Sequence, residues 1–240
     1  MKYNKIIFIV SAIFAFAAVF YRFTYSFFND ASTSSTNTFT ASAVFPTGIT
    51  PTSTTTPTPT GTASPQVVIN EINWGGSNVG GAAGDADEWV ELKNTTSSPI
   101  DIGNLVVVNL GPSVGNTITI PSGSTIPANG FFLISHYSNS APQSALNVTP
   151  DYIIGNDMNL ENTGEQLTLK TNSTGTTIDT ANGTSTWFAG TNTNPIKSME
   201  RTDPPGDGTV STNWQTATTH TGMDGSSGTD EFGTPKNTNP

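Results

Sequence analysis

Two short stretches carry the residues best placed to do chemistry. VVINEINWGG, residues 67–76, sets Glu71 inside a β-branched run, and GDADEWVELKN, residues 84–94, sets Asp85, Asp87, Glu88 and Glu91 around Trp89. Asp85, Asp87 and Glu88 lie within four positions of one another, and hard oxygen donors on a loop suit Ca²⁺. Glu71 or Glu91 would extend that set across a sheet. A second acidic region holds Asp203, Asp207, Asp224, Asp230 and Glu231. Neither stretch keeps a full Asp-x-Asp-x-Asp-Gly loop, so a solvated acidic loop competes with a calcium site. Trp74 and Trp89, with Glu91 beside them, are candidates for a binding surface, since indoles anchor partners. Trp187 and Trp214 are further candidates, and core packing is the competing reading for each.

Other catalytic chemistries lack their parts. The two histidines, His136 and His220, stand 84 positions apart in polar surroundings, without ligand spacing or a nucleophile motif beside them. The chain has no His-Glu-x-x-His pair or phosphate-binding glycine loop. The glycines of WGGSNVGGAAG precede no helical pattern and read as a connection between strands. Cysteine is absent, which removes disulfides, thiolate metal sites and a cysteine nucleophile.

The elements that must position these residues are short strands. From residue 66 onward, apolar runs alternate with turn clusters about every ten residues. The expected strands cover residues 67–72, 88–93, 105–110, 117–120, 131–135, 152–154, 166–170, 176–180 and 196–201. NTTSSP, PSGST, PANG, NTG, TNSTG and PPGDG punctuate them. One turn of helix is expected around residues 143–146, between prolines. This pattern predicts an all-β sandwich in one domain, residues 66–240. Strict alternation puts Val90 and Leu92 on one face and Trp89, Glu91 and Lys93 on the other. In the first strand it groups Val67, Ile69 and Glu71 against Val68, Asn70 and Ile72. The carboxylates are then expected to face water, with Trp89 partly exposed.

Charge and the N-terminus indicate an address. Of eight basic residues, Lys2, Lys5 and Arg22 fall in the first 22 positions, leaving five basic residues against 18 acidic ones beyond them. Such a surface repels phosphate backbones, so no nucleic-acid partner is expected. The apolar run of residues 6–20 follows two lysines and is expected to be a hydrophobic helix, acting within residues 1–30 as signal peptide or membrane anchor. Residues 31–65 form a Ser/Thr/Pro-rich linker with nothing to bury, expected to be disordered and extended.

Two resemblances rest on particular residues. Phe28-Asn29-Asp30 and Asn37-Thr38-Phe39-Thr40-Ala41 resemble the export-signal region of secreted biofilm-fibre and camelysin-type proteins. That resemblance implies cleavage just before Phe28; Tyr25-Ser26-Phe27 replace the small residues expected there, and a retained anchor is the rival reading. The second is longer. Ile69-Asn70-Glu71, residues 87–94, 120–130 and 160–169, Arg201-Thr202-Asp203-Pro204, Asn213-Trp214 and Gly233-Thr234-Pro235 are similar, in order, to the lamin tail domain of bacterial surface and secreted proteins. The resemblance spans residues 67–235 and implies an immunoglobulin-like β-sandwich. It departs at Ile102-Gly103-Asn104-Leu105, where the family usually carries Gly-Trp.

The function expected is a non-catalytic, exported or surface-tethered binding or adhesion module of a bacterial cell envelope, binding an extracellular or envelope protein or polysaccharide. A structural subunit of an extracellular fibre or coat is the alternative, and a calcium-dependent hydrolase the third. Membrane contact is expected only through the N-terminal segment.

Overall fold

The computed structural model describes residues 65–79, 86–111, 115–183, 185–224 and 231–240, all of them within the unit Pro59–Pro240. The expected N-terminal helix, the linker before Pro65, Asp85 and Asp230 lie outside the described residues. Twelve strands occur among them: β1 (Val67–Asn73), β2 (Trp89–Asn94), β3 (Ile100–Asp101), β4 (Val106–Val108), β5 (Thr117–Thr119), β6 (Thr125–Ile126), β7 (Phe131–Ser135), β8 (Tyr152–Ile153), β9 (Leu167–Lys170), β10 (Thr177–Ala181), β11 (Met199–Arg201) and β12 (Trp214–Thr216). All nine expected strands are present. β3, β6 and β12, each two or three residues long, were not among those expected. The helical turn expected at residues 143–146 is instead a pair of tight turns, with Ser144 N–H donating to the Ala141 carbonyl at 3.1 Å. Among the described residues, helix is confined to 3₁₀ turns such as Gly155–Asp157 and Ser211–Asn213. No helix there is long and apolar enough to cross a membrane.

Six strands form one sheet in the order β12-β11-β1-β2-β7-β8, and four form a second in the order β10-β9-β4-β5. β3 and β6 make a separate two-stranded ribbon. All pairings are antiparallel except β7 with β8. The main core lies between the two larger sheets: Ile69, Ile72, Val90, Leu92, Ile134 and Met199 meet Val107, Leu167, Leu169 and Ala181. Most are wholly buried, and each such side chain contributes about 1.5–3 kcal/mol by leaving water.

A β-bulge decides which side chains reach that core. Register runs Ile69 with Leu92 and then Glu71 with Glu91, so Asn70 is an extra residue in β1. Strict alternation would have kept Ile69 and Glu71 on one face. The bulge places Val67, Ile69 and Ile72 together on the core side and turns Glu71 to the opposite face, beside Glu91. It also frees backbone groups of Ile69 from the ladder. Ile69 N–H donates to Asp179 Oδ2 at 2.8 Å, and its carbonyl accepts from Arg201 Nη1 at 3.0 Å. Arg201 and Asp179 are themselves paired at 2.6 Å, with side-chain exposures of 0% and 4%. This buried pair joins β11 of one sheet to β10 of the other across the bulge.

The opposite face of the large sheet is covered too. The C-terminal strap, residues 231–240, lies on it, with Ser198 N–H donating to the Phe232 carbonyl and Phe232 N–H to the Ile196 carbonyl, both at 3.0 Å. Beside the strap, Trp89 and Leu133 pack against Ala145, Leu146 and Met223. The sheet is therefore sandwiched twice, by apolar contacts on one face and by mixed contacts on the other.

Candidate binding site

Glu71 and Glu91, expected to be wet, are both fully buried under the strap, as is Glu200 of β11. Alternation misplaced them because their cover comes from the far end of the chain. Glu71 Oε1 accepts from Ser198 Oγ at 2.6 Å and from Thr234 N–H at 2.8 Å. Glu91 Oε1 accepts from Asn70 Nδ2 at 2.9 Å, and its other oxygen accepts from the Lys236 N–H. Asn239 Nδ2 donates to the carbonyls of Asn70 at 3.1 Å and Arg201 at 2.7 Å. Burial, and then the nearby Glu200 carboxyl, push Glu71 up to about 8. Burial and the Glu71 charge hold Glu91 well above the usual carboxylate range. Burial also raises Glu200. These carboxyls are structural posts for the strap, closed to any substrate.

Trp89, expected to be partly exposed, is 0% exposed, and its indole N–H meets no acceptor among the described residues. Trp74 is buried; it donates to the Ala189 carbonyl at 3.0 Å and stacks on Trp187 with centroids 5.7 Å apart. Trp187 is half-buried and donates to the Glu161 carbonyl at 2.8 Å, while Trp214 is buried and donates to the Gly208 carbonyl at 2.8 Å. The outward surface expected from Trp74, Trp89 and Glu91 is thus interior.

The calcium candidates diverge. Asp87 accepts from the Ala145 N–H at 2.6 Å, whereas Glu88 turns the other way and accepts from the Leu160 N–H at 2.9 Å. Burial raises Asp87 to about 6, and burial followed by the charges of Glu165 and Glu161 raises Glu88 to about 8. Among the described residues no group of three or more His, Cys, Asp or Glu side chains is gathered to hold a metal ion. The histidines are equally separate in setting: His136 is buried against Tyr137, and His220 is exposed beside Phe232.

What does open to solvent is a groove of about 400 Å³ lined by Pro65, Lys93, Thr95, Asn129, Asp203, Pro204, Pro205 and Thr238. Lys93, next to last in β2, lies on the same face as Glu91, and its Nζ meets Asp203 Oδ1 at 2.8 Å and rests over the Phe131 ring at 5.7 Å. Thr95 fixes the start of the domain, its Oγ1 donating to the Pro65 carbonyl at 2.9 Å. Asn129 occupies a left-handed turn position at φ 54°, which asparagine tolerates, and presents its amide at the rim. Proline rings, an ion pair, hydroxyls and an amide give a wall that can both pack and hydrogen-bond. Sequence reasoning passed over this set because its members come from five separate segments of the chain. The only signal was Arg-Thr-Asp-Pro-Pro, residues 201–205, which brings a carboxylate and two rings together.

Two facing sheets with almost no helix among the described residues agree with the immunoglobulin-like class, and function on such a fold lives in the sites grafted on it. The lamin tail domain family model matches residues 60–185, and the chain belongs to this family of immunoglobulin-like, non-catalytic domains. The match ends before β11, although β11, β12 and the strap complete the large sheet. No curated protein matches the chain.

Proposed function

We propose that this protein is a non-catalytic binding or adhesion module, exported and tethered at a bacterial cell surface, that uses the groove around Lys93 and Asp203 to hold an envelope protein or polysaccharide. The observation that carries this reading is the contrast between the motif carboxylates and the groove. Glu71, Glu91 and Glu200 are spent inside the domain, while the open groove offers mixed apolar and polar walls. The lysine-flanked apolar run at residues 6–20 and the Thr/Pro stretch before Pro65 support export and tethering. The test has two arms. Protease applied to intact cells should remove the domain, and the purified protein should be retained on isolated envelope material. Thr238→Arg, which fills the groove from an exposed position, should abolish that retention without lowering the melting temperature. Protection of the domain in intact cells, or equal retention of the variant, would sink the proposal.

A second reading, a subunit of a fibre or coat, is favoured by one feature. β8 is a two-residue strand at the end of the large sheet, and its Ile153 is 47% exposed. Sedimentation of the purified protein across a hundredfold range of concentration decides it: assembly supports the fibre reading, and a strict monomer removes it.

A further inference from the structure

The strap is held by more acceptors than donors. Thr234 Oγ1 lies 3.1 Å from Glu71 Oε2, 3.1 Å from Glu200 Oε1 and 2.9 Å from Asn239 Oδ1. The Asn239 amide cannot turn round to help, because its Nδ2 already donates to the carbonyls of Asn70 and Arg201. A threonine hydroxyl has one proton to give and can accept others. It satisfies one of the three oxygens, and Asn70 Nδ2 donates to Asn239 Oδ1 at 3.3 Å; for both carboxyl oxygens to be hydrogen-bonded, at least one of the two carboxyls must itself carry a proton and donate it to Thr234. An ionised pair here would leave buried oxygens facing each other unpaired, at the cost that attends any buried, unpaired charge.

We propose that the C-terminal strap, residues 232–239, is a proton-operated latch: it stays seated while the Glu71, Glu91 and Glu200 layer holds its shared protons, and lifts when that layer ionises. The groups facing the layer are few. β1 supplies Glu71, β2 Glu91 and β11 Glu200, with Gln215 of β12 donating to Glu200 Oε2 at 3.4 Å. The strap supplies one cation, Lys236, whose Nζ is drawn off to Asp151 at 2.8 Å on the surface. No other basic side chain on these elements is turned to the layer: Arg201 is committed to Asp179, and Lys93 to Asp203. The sign follows from burial. The seated state raises the carboxyls, with Glu71 carried from 4.5 to about 8, so it binds protons more tightly than the lifted state. Seating is therefore strongest below pH about 4.5 and weakens as the pH rises through about 8.

What lifting would uncover is defined. Gly233 sits against both Trp89 and Glu71: a Cβ there would lie 3.1 Å from the Trp89 ring and 3.1 Å from Glu71 Oε1. A released strap bares Trp89 and the carboxyl row together, an apolar and acidic face on a sheet that is otherwise closed.

The test is hydrogen exchange by mass spectrometry on the full chain from pH 5 to 9, with rates corrected for intrinsic exchange. In the wild type, protection of the peptide covering residues 231–240 should fall by about tenfold per pH unit between pH 6 and 8, while the β7 peptide changes little. Glu71→Gln supplies an amide that can accept from Ser198 and Thr234 N–H and donate to Thr234 Oγ1, as the protonated acid does. It should flatten the strap's pH dependence. If it fails to fold, Glu200→Gln is read in the same way. Parallel loss of protection in strap and β7, or a wild-type slope in the folded glutamine variant, would overturn the latch. So would recovery of strap protection at pH 8 on adding millimolar calcium, which would make the layer a cation site.

Discussion

The buried pair of Arg201 and Asp179 should be the most sensitive single point of the domain. Arg201 is enclosed on every side: its guanidinium meets Asp179 through Nη1 at 2.6 Å and Nη2 at 3.2 Å, the Ile69 carbonyl at 3.0 Å and the Gly206 carbonyl through Nε at 2.9 Å. It also lies over the Trp214 ring at 5.5 Å. Arg201→Met keeps much of the volume and removes every donor. Asp179 would then be an ionised carboxylate at 4% exposure with only the Ile69 N–H left. Breaking a buried pair from one side costs about 3–5 kcal/mol. In a domain of this size each kcal/mol moves the melting temperature by about 2–4 °C, so a loss near 4 kcal/mol lowers it by about 8–16 °C.

Adding Asp179→Leu to Arg201→Met separates the charge from the rest. The double variant no longer buries a lone carboxylate, and what remains is chiefly the unpaired N–H and carbonyl of Ile69, each a cost of about 1–3 kcal/mol. It should melt above Arg201→Met alone. Thermal melts followed by circular dichroism at pH 7 measure all three proteins, and 1 M salt should leave the differences in place because the pair is shielded from counterions. A single-variant loss below about 1 kcal/mol would place the pair's energy in the surface range and refute the argument. A double variant melting below Arg201→Met would refute it too, by showing that the lone carboxylate is not what the single variant loses.

Three further outcomes follow from the interior. Trp89→Ala should cost about 3–5 kcal/mol in urea unfolding, as expected for a wholly buried ring; a loss under about 1 kcal/mol would mean that Trp89 faces solvent. Gly233→Ala should cost about 1–3 kcal/mol, since its methyl meets Trp89 and Glu71 at 3.1 Å, and unchanged urea unfolding would show that the strap is not seated there. Glu88, carried from 4.5 to about 8, holds its proton more tightly folded than unfolded, so its contribution is present below pH about 4.5 and is lost as the pH rises through about 8. The melting temperature should accordingly fall between pH 5 and 8, less steeply in Glu88→Gln, and a rise over that window would contradict the burial of this carboxyl.

Much of the architecture was legible because turns and alternation are local. PSGST ends β5 and PANG precedes β7 as their glycines, prolines and asparagine require, and β7 occupies residues 131–135 as its apolar run predicts. The bulge was not legible. Period-two counting assigns every residue of VVINEIN a partner, and nothing in that string marks Asn70 as the one without. Its consequence was large, since one extra residue turned Glu71 away from the face of Ile69 and brought Ile72 onto it.

The carboxylates failed for a different reason, and that reason bears on how such sheets are read. A strand buried on both faces is expected to be apolar throughout, so a glutamate at alternate positions signals water. Here the second face is buried but its roof is polar: Thr234 and Lys236 offer backbone N–H groups, Asn239 an amide, and Ser198 a hydroxyl from the loop before β11. Glu71 meets Thr234 across 163 residues of chain, so no window around VVINEIN contains the information that dries it. The signal that does exist is the pairing of two distant fragments, acidic residues at one phase of β1, β2 and β11, and a donor-rich Gly-Thr-Pro-Lys-Asn-Thr-Asn tail with too few apolar side chains to pack alone. A donor-rich tail and an acceptor-rich strand face are each unremarkable when exposed; buried, each requires the other. The composition of the last ten residues is therefore an argument about β1, and it predicts that truncating the chain before Phe232 would unseat the polar face of the large sheet while leaving the apolar core between the sheets intact.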